Sequence, residues 1–389
     1  MRTGLRVGEK PEGKTTTVTQ PQDPQERPAH EPASDNESSS LRPRRTQRRL
    51  ITATCIAVVL AFVALALPTP YVVEAPGPAI NTLGKDSGKQ LIEVTGHKTY
   101  PTRGSLDMTT VFVLGGAQGK ISFFRVLQAW ADPHEDVYPE EAMYPRTATS
   151  EQISDTNAAE MDDSQQSSVA AALGDLGIDY QQELTVAGLA NDTNKGLLQT
   201  DDVLRQIDGK PISDVEMLRS ALQESTDGKP RMKLERAGQE KQITAKTTLS
   251  KEGKHQLGVY LGTRYTFPFD VKFTLSDVGG PSAGMMFALG IIDTLTPGDL
   301  TGGKNIAGTG TIDADGKVGP IGGIAQKLVG ARRGGADYFL APADNCDDVV
   351  GRVPEGLTVI KVATLEQARQ AVEQVASGTD PKTLAGCGS

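Results

Sequence analysis

The sequence predicts an α+β ectodomain behind a single membrane-spanning helix. Three observations carry that prediction. An uncharged apolar run, Leu50–Leu67, follows a cluster made of Arg42, Arg44, Arg45, Arg48 and Arg49. Beyond it, short alternating runs that read as strands are mixed with runs that read as helices. Lastly, a glycine-rich stretch, Val278–Arg333, holds Ser282 ahead of an apolar helix-like run and Lys327 on an otherwise apolar helix face.

The N-terminal residues 1–49 are rich in Pro, Thr, Ser, Gln, Glu and Arg, and read as a disordered tail. Gly8–Thr15 satisfies the phosphate-binding loop pattern, but neither a strand before it nor a helix after it is in prospect. Gly298–Lys304 fits the same spacing, with Asn305 where a magnesium-binding Ser or Thr belongs. The run 50–67 suits a span: at ~1.5 Å per residue it covers roughly 27 Å, close to a bilayer core. The arginines place the tail in the cytoplasm and everything after Pro68 outside. The other reading is a cleaved signal peptide, with Ala64-Leu65-Ala66 at the cleavage site.

Residues 68–176 open on a stiff exit, Pro68-Thr-Pro70 and Pro76-Gly-Pro78. Leu91–Thr95 and Leu106–Leu114 read as strands, Phe123–Trp130 as a helix and residues 131–165 as acidic and irregular. Val169–Leu176 is helical again. They make up the N-terminal part of the ectodomain, and a module at 177–252 follows. That module has an Asp208-Gly209 turn between apolar strands and a capping box at Ser213-Asp-Val-Glu216. A hairpin around Ala237-Gly238 follows. Its pattern resembles a PDZ domain of the bacterial protease type, which binds an extended peptide at a sheet edge. The other reading is a spacer without a ligand. Residues 253–376 follow the module and hold the glycine-rich stretch. Lys304–Ile312 and Lys317–Val318 form a hairpin, Ala336–Pro342 and Leu357–Val362 are strands, and Thr364-x-x-Gln367 caps a closing helix. Residues 377–389 read as a loose tail.

The 389 residues carry a net charge of −9, which argues against a nucleic-acid surface. Three cysteines make no disulfide framework; Cys346 and Cys387 can pair only if folding brings them close. None of the four histidines has metal-ligand spacing, so neither a metal nor another cofactor is expected.

Ser282 follows Gly279-Gly280-Pro281. Proline suits a first helical turn, so Ser282 is expected at a helix N-terminus. Free N–H groups there can cap, or can stabilise an oxyanion. Lys327 shares a helix face with Ile324, Leu328 and Ala331. Burial there favours the neutral amine, which can take a proton from serine. A lysine that snorkels at the rim of that face is the plainer alternative.

Gly280-Pro281-Ser282-Ala283-Gly284, Ala307-Gly308-Thr309-Gly310, Val318–Gly323 and Lys327 together resemble the proteolytic domain of Lon proteases. The resemblance implies that Ser282 is the nucleophile, Lys327 the base and Thr309 a support for the lysine. Gly280 and Pro281 then support the serine and the oxyanion. Many members carry an acid three residues before the serine, where this chain has Gly279. With its span and its PDZ-like insert, the whole resembles the membrane-anchored PDZ–Lon-like serine proteases of Gram-positive bacteria. That implies hydrolysis of protein or peptide substrates outside the cytoplasmic membrane without ATP, by a homo-oligomer such as a hexameric ring. Two other functions fit less of the chain: a PDZ scaffold with an inactive protease domain, and a nucleotide-dependent membrane enzyme built on Gly8–Thr15.

Overall fold

A computed structural model describes residues 42–86, 88–116, 119–145, 149–225, 227–275, 278–380 and 383–387. The Gly8–Thr15 pattern and most of the expected tail lie outside them. The chain divides into two units, residues 1–62 and 63–389. A helix runs Arg42–Ala66. Residues 42–49, expected as tail, are therefore helical, and Pro43 falls in the first turn, where its missing N–H costs nothing. Among the described residues this is the one helix long and apolar enough to cross a membrane.

A six-stranded sheet organises the larger unit. Thr358–Val362, Tyr338–Pro342, Asn305–Gly308 and Ser105–Gly115 are parallel neighbours in that order. Tyr71–Asn81 and Asp136–Pro139 complete it antiparallel. Alternate residues face opposite ways on a strand, and the packing follows that rule. Ile306 and Leu340 enter a core on one face, while Ala307, Phe339 and Ala341 enter a smaller core on the other. The first face is covered by the helix Gly284–Leu295 (the serine helix), backed by Ser150–Asp175 and Leu365–Ala376. The second is covered by Ile324–Arg333, the lysine helix. This mixed α/β architecture bears out the expected class.

Two expectations for residues 68–176 need correction. The stiff exit is a strand: Tyr71–Asn81 pairs with Ser105–Gly115, and the register shifts between Pro76 and Ala79, where Gly77 and Pro78 leave the ladder. The irregular segment holds the strand Asp136–Pro139 and most of a helix, Ser150–Asp175, opened by a Thr149/Gln152 capping box. Only from Met161 onward does that helix bury side chains, so its first half lacks an apolar period.

The inserted module has its own sheet, in the order Gln239–Thr244, Arg231–Arg236, Val203–Ile207, Gln181–Leu189, Val259–Thr266. The helix Val215–Glu224 packs Leu218 and Leu222 into a separate core with Leu184, Val186 and Met232. Its edge was expected at 252, but Val259–Thr266 pairs along the whole of Gln181–Leu189, with Gln181 opposite Thr266. The helix is capped by Asp214, not Ser213: Asp214 accepts from the Met217 N–H at 2.8 Å. At the C-terminus, residues expected as a loose tail are tied down. Cys387 is bonded to Cys346, and the Lys361 N–H donates to the Ala385 carbonyl at 2.7 Å.

Candidate active site

The serine loop is held by the long helix behind it. The Gly280 N–H donates to the Asn157 carbonyl at 3.0 Å, and Ser164 Oγ donates to the Pro281 carbonyl at 3.0 Å. Gly280 has φ +86°, which a side chain rarely adopts. The serine helix begins at Gly284, with Ala283 as its cap residue, so Pro281 stands outside the first turn where it was expected. A Cβ at Gly284 would lie 2.8 Å from Ile312 Cγ2 and 2.9 Å from Ser164 Oγ. Glycine there lets the helix start tuck between the hairpin and the long helix. Ser282 itself is half-buried.

The lysine helix starts from Gly323, at φ +66°. Ile324, Leu328 and Ala331 pack into the smaller core. Lys327, between them, is only 3% exposed. Burial pulls its ammonium down to about 7, against the opposing pull of the Glu74 carboxylate. Lys327 Nζ donates to Thr309 Oγ1 at 3.1 Å, and Thr309 Oγ1 donates to the Ser282 carbonyl at 3.0 Å. The Gly310 N–H donates to the same carbonyl at 2.8 Å. Thr309 thus ties the lysine to the serine's own backbone.

Ser282 and Lys327 line one cleft of about 460 Å³, with Thr109, Val111, Phe112 and Tyr144 among its walls. Ser282 Oγ makes no hydrogen bond among the described residues; the two side chains share the cleft without a direct bond. A cavity of similar volume at the far end of the serine helix, beside Asp299 and Arg369, is lined by neither of them. Neither Gly280 nor Pro281, expected to support the serine and the oxyanion, offers a free backbone donor. The Gly280 N–H is taken by Asn157 and proline has none. The backbone N–H groups of Ser282 and Ala283 have no acceptor among the described residues.

Sequence reasoning missed Glu74, which is 7% exposed on the strand beside the lysine helix. Burial raises its carboxyl, Asp136 adds to the rise, and Lys327 lowers it. A lone acid in Val72-Val73-Glu74-Ala75 was the available signal. It also missed Asn157 and Ser164, which hold the loop through its backbone.

Residues 276–375 match the family model of the Lon protease (S16) C-terminal proteolytic domain. The matched segment contains Ser282, Thr309 and Lys327, and the match supports a peptidase. Over 90 residues the chain is 40% identical to a Lon protease of Azospirillum brasilense, covering 22% of this chain and 11% of that one. Over 91 residues it is 37% identical to Lon protease 1 of Bacillus subtilis, covering 23% and 12%. The chain thus spans about a tenth of the length of these relatives. A solved PDZ domain of an SdrC-like protein from Listeria monocytogenes is 18% identical with TM-score 0.19, covering 20% of this chain and 85% of that one.

Proposed function

We propose that the chain is a membrane-anchored serine endopeptidase in which Ser282 is the nucleophile and Lys327 its general base. One observation carries the reading: a buried lysine, held by Thr309 and poised near neutrality, lines the cleft that Ser282 lines. Neutral Lys327 takes the hydroxyl proton as Ser282 Oγ bonds to the scissile carbonyl carbon. The carbonyl π pair moves to oxygen, and the N–H groups of Ser282 and Ala283 stabilise it. Collapse breaks the C–N bond, and the Lys327 ammonium gives its proton to the leaving amine. Water then repeats the sequence on the acyl ester, with Lys327 again as base, and frees Ser282.

These steps consume only water, and the enzyme is read as ATP-independent. The arginine cluster supports a cytoplasmic N-terminus and an extracytoplasmic catalytic body. The Cys346–Cys387 bond supports the same side, since disulfides persist in oxidising compartments. Substrates are then membrane or secreted proteins, recruited as extended peptides by the PDZ-like module. A homo-oligomeric ring rests on the resemblance alone. The test is a casein or peptide digest by the purified full chain. Ser282→Ala and Lys327→Arg should each lower turnover by at least ~10²-fold, because arginine cannot deprotonate. The double variant should be no worse than either. Turnover retained by Lys327→Arg would sink the dyad.

A further inference from the structure

The helix Phe123–Ala131 is apolar on two sides. Its inner side, Val126 and Ala129, is fully buried. Its outer side carries Phe124, Leu127 and Trp130, spaced three apart and 51%, 38% and 58% exposed. A helix that is apolar all round is normally buried, so this outer side is a surface in want of a partner. Of its polar groups, Arg125 lies off this side and is held by Glu135 at 2.7 Å, while the exposed Gln128 flanks Phe124 at its margin. Tyr71 and Trp130 meet in a T-shaped contact with ring centroids 6.1 Å apart, which fixes the indole on the body.

The helix's place in the chain says what the partner is. The Phe123 N–H donates to the Leu67 carbonyl at 3.0 Å. Pro68–Thr69 pairs antiparallel with Ile121–Ser122. Leu67 is the last residue of the uncharged run that reads as the membrane span. The start of this helix is therefore tied, by a backbone hydrogen bond and a short ladder, to the point where the chain leaves the bilayer.

We propose that Phe123–Ala131 is an interfacial helix that lays Phe124, Leu127 and Trp130 into the phospholipid boundary of the leaflet from which the chain emerges. Trp, Phe and Leu suit that depth, where such helices lie ~5–10 Å into the headgroup–acyl boundary. This helix, about 13 Å long, would add a second lipid attachment to the one that the span provides. The inference rests on the reading of Leu50–Leu67 as a span.

Trp130 is the sole tryptophan of the chain, so its fluorescence reports on this helix alone. The full chain is reconstituted into phosphatidylethanolamine–phosphatidylglycerol vesicles containing brominated lipids. Trp130 should emit at shorter wavelength than in the urea-unfolded chain and lose most of its emission. Bromines near the headgroup end should quench more than bromines at the chain ends. The variant Phe124→Glu with Leu127→Glu keeps the probe and should regain the emission. Two unquenched outcomes overturn the proposal while leaving the span intact. Short-wavelength emission would mean that a second copy covers the helix, and long-wavelength emission that water does. Equal quenching of variant and parent also overturns it. A chain stripped from the vesicles by alkaline carbonate removes the span, and the interfacial helix falls with it.

Discussion

Glu74 and Asp136 stand directly opposite each other on antiparallel strands, beside the helix that carries Lys327. Like charges so placed repel. Asp136 is relieved by Gln326 Nε2 at 2.8 Å and by Arg352 at 3.2 Å. Among the described residues Glu74 makes no ion pair at contact distance, and the lysine is the cation that acts on it. Glu74 is therefore the charge that acts on Lys327, against the larger effect of burial.

Removing that charge gives the first prediction. Glu74 opposes the burial that lowers Lys327. In Glu74→Gln the lysine should lose its proton at lower pH still. The acid limb of kcat/KM should move to lower pH, and relative activity at pH 6 should rise. A limb that stays put or moves up would show that Glu74 does not act on the base.

Asp293 gives a second pH effect, on stability rather than turnover. This residue of the serine helix is fully buried, and burial raises its carboxyl to about 6. One oxygen accepts from the Leu300 N–H at 2.9 Å, and the other has no partner among the described residues. The folded state thus binds a proton more tightly than the unfolded one. Stability should fall as pH rises from about 4 to about 6, by up to about 3 kcal/mol. Asp293→Asn keeps the acceptor and has no charge to bury. Its urea midpoint at pH 8 should exceed the parent's, and the two should converge near pH 4. A lower midpoint for the variant at pH 8 would refute the account.

The Cys346–Cys387 bond closes a loop of 41 residues. Chain-entropy reasoning gives such a loop about 4 kcal/mol of stabilisation. Cys387→Ser should lower the denaturation midpoint accordingly, and reductant should affect the parent but not the variant. The Lys361–Ala385 hydrogen bond should lose its protection from hydrogen exchange in the same variant. Equal midpoints with and without reductant would mean that the bond adds nothing.

The inserted module should come out cleanly. Its first and last strands begin and end on paired residues, Gln181 and Thr266, flanked by Tyr180 and Phe267 with rings 5.7 Å apart. Joining Tyr180 to Phe267 through a short glycine–serine linker spans only the width of one strand pair. The shortened chain should keep its fold and its turnover of short peptides, and lose cleavage of large substrates. Equal loss on both classes would make the module a structural support.

Legibility followed the range of the signal. Leu106–Leu114, Leu357–Val362 and the Thr364-capped helix announce themselves through alternation and caps within a few residues. Ser282, Thr309 and Lys327 stand in glycine-rich stretches whose spacing is equally local. Tyr71–Asn81 was masked by its prolines, tolerated because the ladder breaks at Gly77-Pro78. The first half of Ser150–Asp175 buries nothing, so no period marks it. The module's true edge and the Glu74–Asp136 pair depend on strands meeting across long stretches of chain. No local pattern encodes such a meeting.

The cleft draws Thr109 from before the insertion and Ser282 and Lys327 from after it, and Ser105–Gly115 meets its parallel neighbour 200 residues later. A chain that emerges N-terminus first delivers the inserted module early, and its local sheet can fold at once. The central sheet must wait, because pairings of such separation close slowly. During synthesis the serine therefore exists for a time without a lysine, in a loop with no finished wall behind it. Under the proposed chemistry, a chain arranged in this way gains its reacting pair only after Lys327 has emerged and the central sheet has closed around it.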